Sequence, residues 1–161
     1  MSTQQFSSFT AFARHLESIA PRIPKALSTG LHFITRHIEN RARSMIGTYQ
    51  PARGPFPAWA PLADSTEAEK ARLGFPLESP LERTLALHDS IEHEVSLLEG
   101  VVGSKSDVME YQEFGTVHIP PRPVIGPAAF ESKPMVEKVL GNAVVAALMD
   151  SAVPAELAAG E

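Results

Sequence analysis

Apolar residues return at helical spacing near the start of the chain, where Phe9, Phe12, Leu16 and Ile19 predict a short first helix. Pro21 and Pro24 interrupt it. A longer helix is predicted next, with Leu27, Leu31, Ile34, Ile38 and Met45 on one stripe and Arg36, Glu39, Arg41 and Arg43 mostly off it. Gly47 is its natural stop. At Ile91 the period changes to two. Ile91, His93, Val95 and Leu97 alternate with Glu92, Glu94, Ser96 and Leu98, the pattern of a half-buried strand. Glu99-Gly100 is expected to turn the chain, and Val101-Val102-Gly103 to return as a second strand. Asp107 with Glu110 three residues on predicts a capping box opening a short helix through Phe114. The strongest helical pattern is the last: Val136, Val139, Leu140, Ala143, Val144, Ala147 and Leu148, with Pro134 suited to its first turn.

Two stretches break these periods. Residues 48–83 hold six of the fourteen prolines and the single tryptophan, Trp59. Ser65 to Leu73 has the propensity for a helical turn or two. A connection this long is usually functional or disordered, and a large apolar ring argues against simple disorder. Two readings follow: the arm tucks onto the chain's own helices, or it reaches a neighbouring subunit. The second stretch, Tyr111 to Ala128, packs an aromatic-flanked Glu113, a Gly115-Thr116 turn, four prolines and Arg122 together. Its prolines fix φ and remove donors, so Ile119 to Pro123 must run extended outside any sheet. Such a segment displays residues without a large ordering cost.

The sum of these elements is an α+β fold, with N-terminal and C-terminal helices on a small, mainly antiparallel sheet and a long proline-rich arm. Length supports one domain over residues 1–150, with 48–83 as the arm and 151–161, small and Ala-rich, as a flexible tail. A chain of 161 residues can bury roughly 70% of its unfolded surface.

Charge narrows the function. The net charge is −5, which leaves no basic footprint for nucleic acid. Without cysteine there is no disulfide framework, thiol nucleophile or thiolate metal site, which fits a reducing cytosol. Met1 to Gln5 lacks a basic stretch leading into an apolar one, and the longest apolar run, Ala143 to Met149, falls far short of the ~20 residues of a membrane span. A soluble chain is expected.

Candidate chemistry thins out on inspection. His32 and His37 are five apart on a helix, about 500° of rotation, so they do not share a face. His88 and His93 are expected on opposite sides of a strand, and Glu92 and Glu94 face away from His93. Asp89, Ser90 and His93 lack the glycine-framed elbow and oxyanion signature of a hydrolase. Gly100 to Ser104 lacks the lysine and spacing of a phosphate loop. Glu67, Glu69, Asp89 and Glu110 read as solvated faces and caps. No enzyme, metal or cofactor is expected.

Taken together, the motifs resemble the tail-completion or neck proteins of long-tailed bacteriophages, which act at the joint between filled head and tail. The family's amphipathic N-terminal helix is followed by Trp-x-Pro-Leu, matched by Trp59-Ala60-Pro61-Leu62. A Leu-x-Arg-Thr-Gly-x-Leu-x-x-Ser-Ile element is matched over Leu81 to Ile91, and a Val-Gly-Ser strand end by Val102-Gly103-Ser104. The specific part is Tyr-x-x-Phe-Gly-Thr followed by Ile-Pro-x-Arg-Pro-x-Ile/Leu-Gly-Pro-Ala, spread over Tyr111 to Ala128. The resemblance covers residues 10–149. Two positions depart from it. Leu85 replaces a glycine, so a turn needing positive φ is altered or absent. Val124 replaces a phenylalanine, so its pocket should be shallower.

The resemblance implies a structural virion protein forming a homo-oligomeric ring, sixfold or twelvefold. Its partners would be other neck, connector and tail-tube proteins. DNA would pass through the lumen without specific binding, which an acidic chain suits. Assembly would occur in the host bacterial cytoplasm and the product would reside in the virion, with no membrane contact. Candidate interface residues are Trp59, Glu113, Phe114, Arg122, Pro123 and Ile125. Arg122 either pairs with an acidic residue across a subunit joint or bonds carbonyls within its own loop. Glu113 either meets a partner or caps the following turn. Alternatives are a tail terminator or minor tail component, and a non-viral adaptor whose proline segment docks a groove.

Overall fold

The long second helix is the hub of the molecule, packing along the last helix on one side and against both strands on another. The structure, a computed structural model, describes residues 5–149; the predicted tail 151–161 lies outside the described residues. In chain order the elements are α1 (Phe9–Ile19), α2 (Arg22–Arg43), α3 (Asp64–Leu73), α4 (Ala86–Asp89), β1 (Ile91–Ser96), β2 (Glu99–Ser104), α5 (Asp107–Phe114) and α6 (Ile125–Leu148). The fold is α+β, with one two-stranded antiparallel sheet. Among the described residues no helix is long and apolar enough to cross a membrane.

Ser8 caps α1 by accepting a hydrogen bond from the Ala11 N–H at 3.1 Å. Of the predicted stripe only Ile19 is buried, while Phe9, Phe12 and Leu16 stay exposed. The prolines mark the break as expected: α1 ends at Ile19, just before Pro21, and both prolines sit at the start of α2. Pro21 is the residue before the helix and Pro24 falls in its first turn, where no N–H has an intrahelical partner to lose.

Small residues let α2 and α6 approach closely. Ala26, Ala143 and Ala147 form one buried cluster, and a Cβ on Gly30 would stand 3.4 Å from Leu140. Helix α2 also buries a second face, toward the hairpin, through Thr35, Glu39 and Ala42. Glu39, expected off the buried stripe, sits here. It pairs with Arg43 at 2.6 Å and with the His93 imidazole. Arg43 also donates to the Ile91 carbonyl at 2.6 Å, so three polar groups stitch α2 to β1. A stripe drawn only from apolar residues misses this face, because its buried carboxylate is neutralised by Arg43 one turn on and by His93, which is remote in sequence.

The hairpin register runs from Ile91↔Ser104 to Ser96↔Glu99. The turn is therefore Leu97-Leu98, not Glu99-Gly100. Gly100 lies inside β2, where a Cβ would come within 2.6 Å of the Thr35 methyl, so its role is close approach to α2. Leu97 has φ 50 at the first turn position, a place that favours glycine, and it is almost fully exposed. Leu97→Gly should raise stability by about 0.5–1 kcal/mol, read as a higher urea midpoint, by relieving this conformation.

Helix α5 spans the predicted residues, but Ser106 precedes it and no side chain caps it. Asp107 and Glu110 lie in its first turn and act on the helix dipole instead. Helix α6 begins at Ile125, well before Pro134, which sits inside the helix. Leu85, where a glycine was expected by resemblance, has φ −73, so the chain needs no positive φ there. Val124 is fully buried in the main core with Ala42, Met45, Trp59, Ile91, Met109 and Ala128.

The 48–83 arm folds back on its own base. The Gly47 N–H donates to the Pro80 carbonyl at 2.9 Å, and Ser79 Oγ donates to the Gly47 carbonyl at 3.1 Å. Within it, the Trp59 N–H donates to the Gln50 carbonyl at 2.9 Å, and Tyr49 Oη accepts from the Leu62 N–H at 3.1 Å. The predicted turn or two of helix is a ten-residue helix ended by Gly74 at φ 74.

Candidate functional site

Three segments distant in sequence converge beside the core: 59–61 of the arm, 112–113 of α5, and 122–126 at the start of α6. Trp59 is 5% exposed, and its indole N–H donates to the Pro123 carbonyl at 3.1 Å. Arg122 donates through Nε at 3.3 Å and Nη2 at 3.0 Å to the Ala60 carbonyl, and through Nη2 at 3.0 Å to the Pro61 carbonyl. The Arg122 N–H donates to the Gln112 carbonyl at 2.6 Å.

Glu113 closes the assembly. Its Oε2 accepts from the N–H groups of Val124 at 2.7 Å and Ile125 at 3.0 Å, and its Oε1 from Gly126 at 2.7 Å. The first N–H groups of a helix have no partner within it, and the residue before α6, Val124, has no polar side chain to offer. A carboxylate eleven residues upstream of Val124 fills that role, where the helix dipole favours negative charge.

Between these fastenings the loop 115–121 stands out from the body. Thr116 and Ile119 exchange backbone hydrogen bonds at 2.8 and 3.3 Å. Thr116 Oγ1 also accepts from the His118 and Ile119 N–H groups, each at 3.1 Å. Gly115 has φ 74, and a Cβ there would come within 2.9 Å of the Ile119 carbonyl. The tip presents Val117 at 94% exposure and the base presents Phe114 at 78%.

Beneath the loop lies a cleft of about 670 Å³. Its walls come from Pro61 to Lys70, Leu81 to Leu87, the start of α5, and His118 to Arg122. Two of its lining residues are buried cations: Lys70 is 2% exposed and Arg122 6%. Lys70 Nζ donates to the Ser79 carbonyl at 2.5 Å. Burial holds both groups below their ordinary pKa values. For Lys70 the nearby Glu82 opposes that shift, Arg83 adds to it, and Glu67 opposes it. For Arg122 the opposing group is Tyr49. No ion pair joins either cation to a carboxylate among the described residues.

The lowered Lys70 value sets a pH dependence. The unfolded chain holds that proton more tightly than the folded one, so folding carries a penalty below the folded pKa. Stability should gain as pH rises from that value toward the unfolded value of about 10.4. Lys70→Met is expected to stay within about 1 kcal/mol of the parent at neutral pH, because the penalty of a buried ammonium leaves with its hydrogen bond. Urea midpoints of parent and variant at pH 8 and pH 10 check this, the variant lacking the parent's gain from Lys70.

Of the six residues singled out in the sequence, Trp59, Arg122 and Pro123 are buried inside this chain's own fold. The Trp59 ring takes the first of its two readings. Arg122 matches neither of its readings as written: it bonds carbonyls, but those of the arm and not of its own loop. Glu113 is the cap. Ile125 is half-buried against the core, and Phe114 alone is openly displayed. Sequence reading missed Lys70, Val117 and the cleft. The signal for Lys70 was faint: one lysine among the acidic residues of a short helix. Ser90, imagined with Asp89 and His93, instead bonds Ser104 and the Leu87 carbonyl, while His93 turns to Glu39. Among the described residues no three carboxylates or imidazoles gather as a metal would require. Comparison with family models, curated proteins and solved structures gives no match to this chain.

Proposed function

We propose that this chain is a structural subunit of the head–tail joint of a long-tailed bacteriophage, a neck or tail-completion protein that works as a ring and performs no catalysis. The observation that carries the reading is the clamped loop. Glu113, Arg122 and Trp59 hold 115–121 rigidly at its base, while Phe114 and Val117 project into solvent. An apolar display on a frame that is ordered beforehand binds a partner with little entropic loss. Of the residues that build the frame, Arg122 belongs to the Ile-Pro-x-Arg-Pro motif and Trp59 to the Trp-x-Pro-Leu motif through which the sequence resembles the neck and tail-completion family. Residues read as direct interface contacts thus gain a different part: they hold the contact surface in shape.

Deleting the gene and viewing the lysate by negative-stain electron microscopy tests the reading. DNA-filled heads beside finished, unattached tails are the expected result. Overlong tails would reassign the chain as a tail terminator, and normal infectious particles would reject a virion role. Phe114→Ser with Val117→Ser should reproduce the deletion while leaving the fold intact, because neither side chain is buried. The same display also serves an adaptor. A stable monomer that binds one unrelated protein and forms no ring at any concentration would favour that alternative.

A further inference from the structure

The cleft holds a charge imbalance. Lys70 and Arg122 are both buried and neither forms an ion pair among the described residues, but Glu82, itself in the lining, and Glu67 act on Lys70, whereas no carboxylate acts on Arg122. The Arg122 guanidinium spends Nε and Nη2 on the Ala60 and Pro61 carbonyls and leaves Nη1 without a hydrogen bond among the described residues. A desolvated cation at a cleft wall favours an incoming anion, ideally one with apolar neighbours. The remaining lining suits such neighbours, with Leu62, Leu81, Leu87, Val108 and Ile119 around the opening.

We infer that this cleft seats residues 150–161 of a second copy of the chain, whose carboxylates supply the counter-charge that Arg122 lacks. The inference takes its second copy from the ring reading above, while the cleft and its charges stand apart from that reading. The segment has the right chemistry: Asp150, Glu156 and Glu161 are acidic, no lysine or arginine accompanies them, and Val153, Pro154 and Leu157 are apolar.

Reach decides which copy supplies Glu156 and Leu157. The cleft adjoins Arg122, just before α6 begins, and the far end of α6 packs beside Ala26 near the start of α2. Helix α6 has 24 residues, a length of about 36 Å at 1.5 Å per residue. Glu156 lies seven residues past Met149, so even a fully extended chain carries it only about 25 Å. Glu156 and Leu157 therefore fall short of their own cleft and can enter a neighbour's. A tail-into-cleft contact is heterologous and repeats head to tail, the kind of joint from which rings close.

Two measurements on the full-length protein test this. In the first, a synthetic peptide of residues 150–161 is titrated into isotope-labelled protein at a concentration where it is monomeric. Amide shifts at Ala63, Leu87 and His118 are expected, with binding at least tenfold weaker for a peptide carrying Glu156→Lys and Leu157→Asp. In the second, sedimentation velocity follows self-association of the parent, of the full chain with Glu156→Lys and Leu157→Asp, and of Thr84→Glu, which adds a negative charge to the exposed cleft wall. Both variants are expected to self-associate at least tenfold more weakly, and Thr84 is an exposed residue.

No shift at the cleft, equal binding by the altered peptide, or self-association of the variants like the parent's would overturn the inference. These outcomes separate from those of the virion reading. Specific peptide binding by a chain whose deletion leaves particles normal keeps the cleft assignment and rejects the virion role. Absent peptide binding beside defective particles does the reverse.

Discussion

Trp59→Ala is expected to lower the unfolding free energy by about 3–5 kcal/mol, a large share of the ~5–15 kcal/mol that holds a typical domain together. The ring is buried among Ala42, Met45, Ile91, Met109, Val124 and Ala128, residues of α2 and its following turn, β1, α5 and the start of α6. Truncation therefore opens a cavity where several elements meet, and surrounding side chains cannot all collapse into it. It also leaves the Pro123 carbonyl without the indole donor. Trp59→Phe separates the two contributions: most apolar contact survives and the hydrogen bond does not, so a loss nearer 1–2 kcal/mol is expected. Urea unfolding followed by far-UV circular dichroism is the appropriate readout, since the alanine variant has no tryptophan to report fluorescence. A loss below about 1 kcal/mol for Trp59→Ala would contradict burial within the chain's own core and return the ring to a neighbouring subunit.

Where periodicity and local propensity agreed, the elements were legible in advance. Helices α1 and α2 and strand β1 fall where the spacing of Phe9, Leu31 and Ile91 puts them, α5 falls where Asp107 and Glu110 place it, and the α+β class follows from them. Three of the failures share a cause: each depended on a contact remote in sequence. Gly100 looked like a turn residue because nothing local announces that Thr35 presses against it. Glu39 looked solvent-facing because its partners, Arg43 aside, lie on another element. The start of α6 was hidden because Ile125 to Ala128 continue a proline-rich run and the cap comes from α5. The candidate site follows the same rule. The unusual composition of Tyr111 to Ala128 marked the segment as rigid and special. That Arg122 would reach the arm's carbonyls, and that the cleft would lie between them, needed the tertiary fold.

Glu113 tests that dependence directly. Its carboxylate takes three backbone N–H groups at the head of α6, from Val124, Ile125 and Gly126. Glu113→Ala removes an N-terminal cap and the charge that complements the helix dipole, with an expected loss of about 2–3 kcal/mol. Glu113→Gln keeps an acceptor oxygen but turns an amide N–H₂ toward donors, and should lose about 1–2 kcal/mol. If the charge is what matters, the gap between parent and Gln variant should narrow in high salt. Hydrogen exchange supplies the local readout. Protection of the Val124 to Ala128 amides should fall in both variants, while amides in the hairpin and the middle of α2 change only as much as global stability does. Unchanged protection at the head of α6 would mean that the helix is held there by packing alone. Because the same carboxylate anchors the loop that carries Phe114 and Val117, a frayed α6 should also loosen the display. Glu113→Ala is therefore expected to weaken assembly more than its global stability loss accounts for, and Phe114→Ser to weaken assembly with almost no loss of stability. Comparable assembly defects in two variants of such different stability would locate the shared cause in the loop.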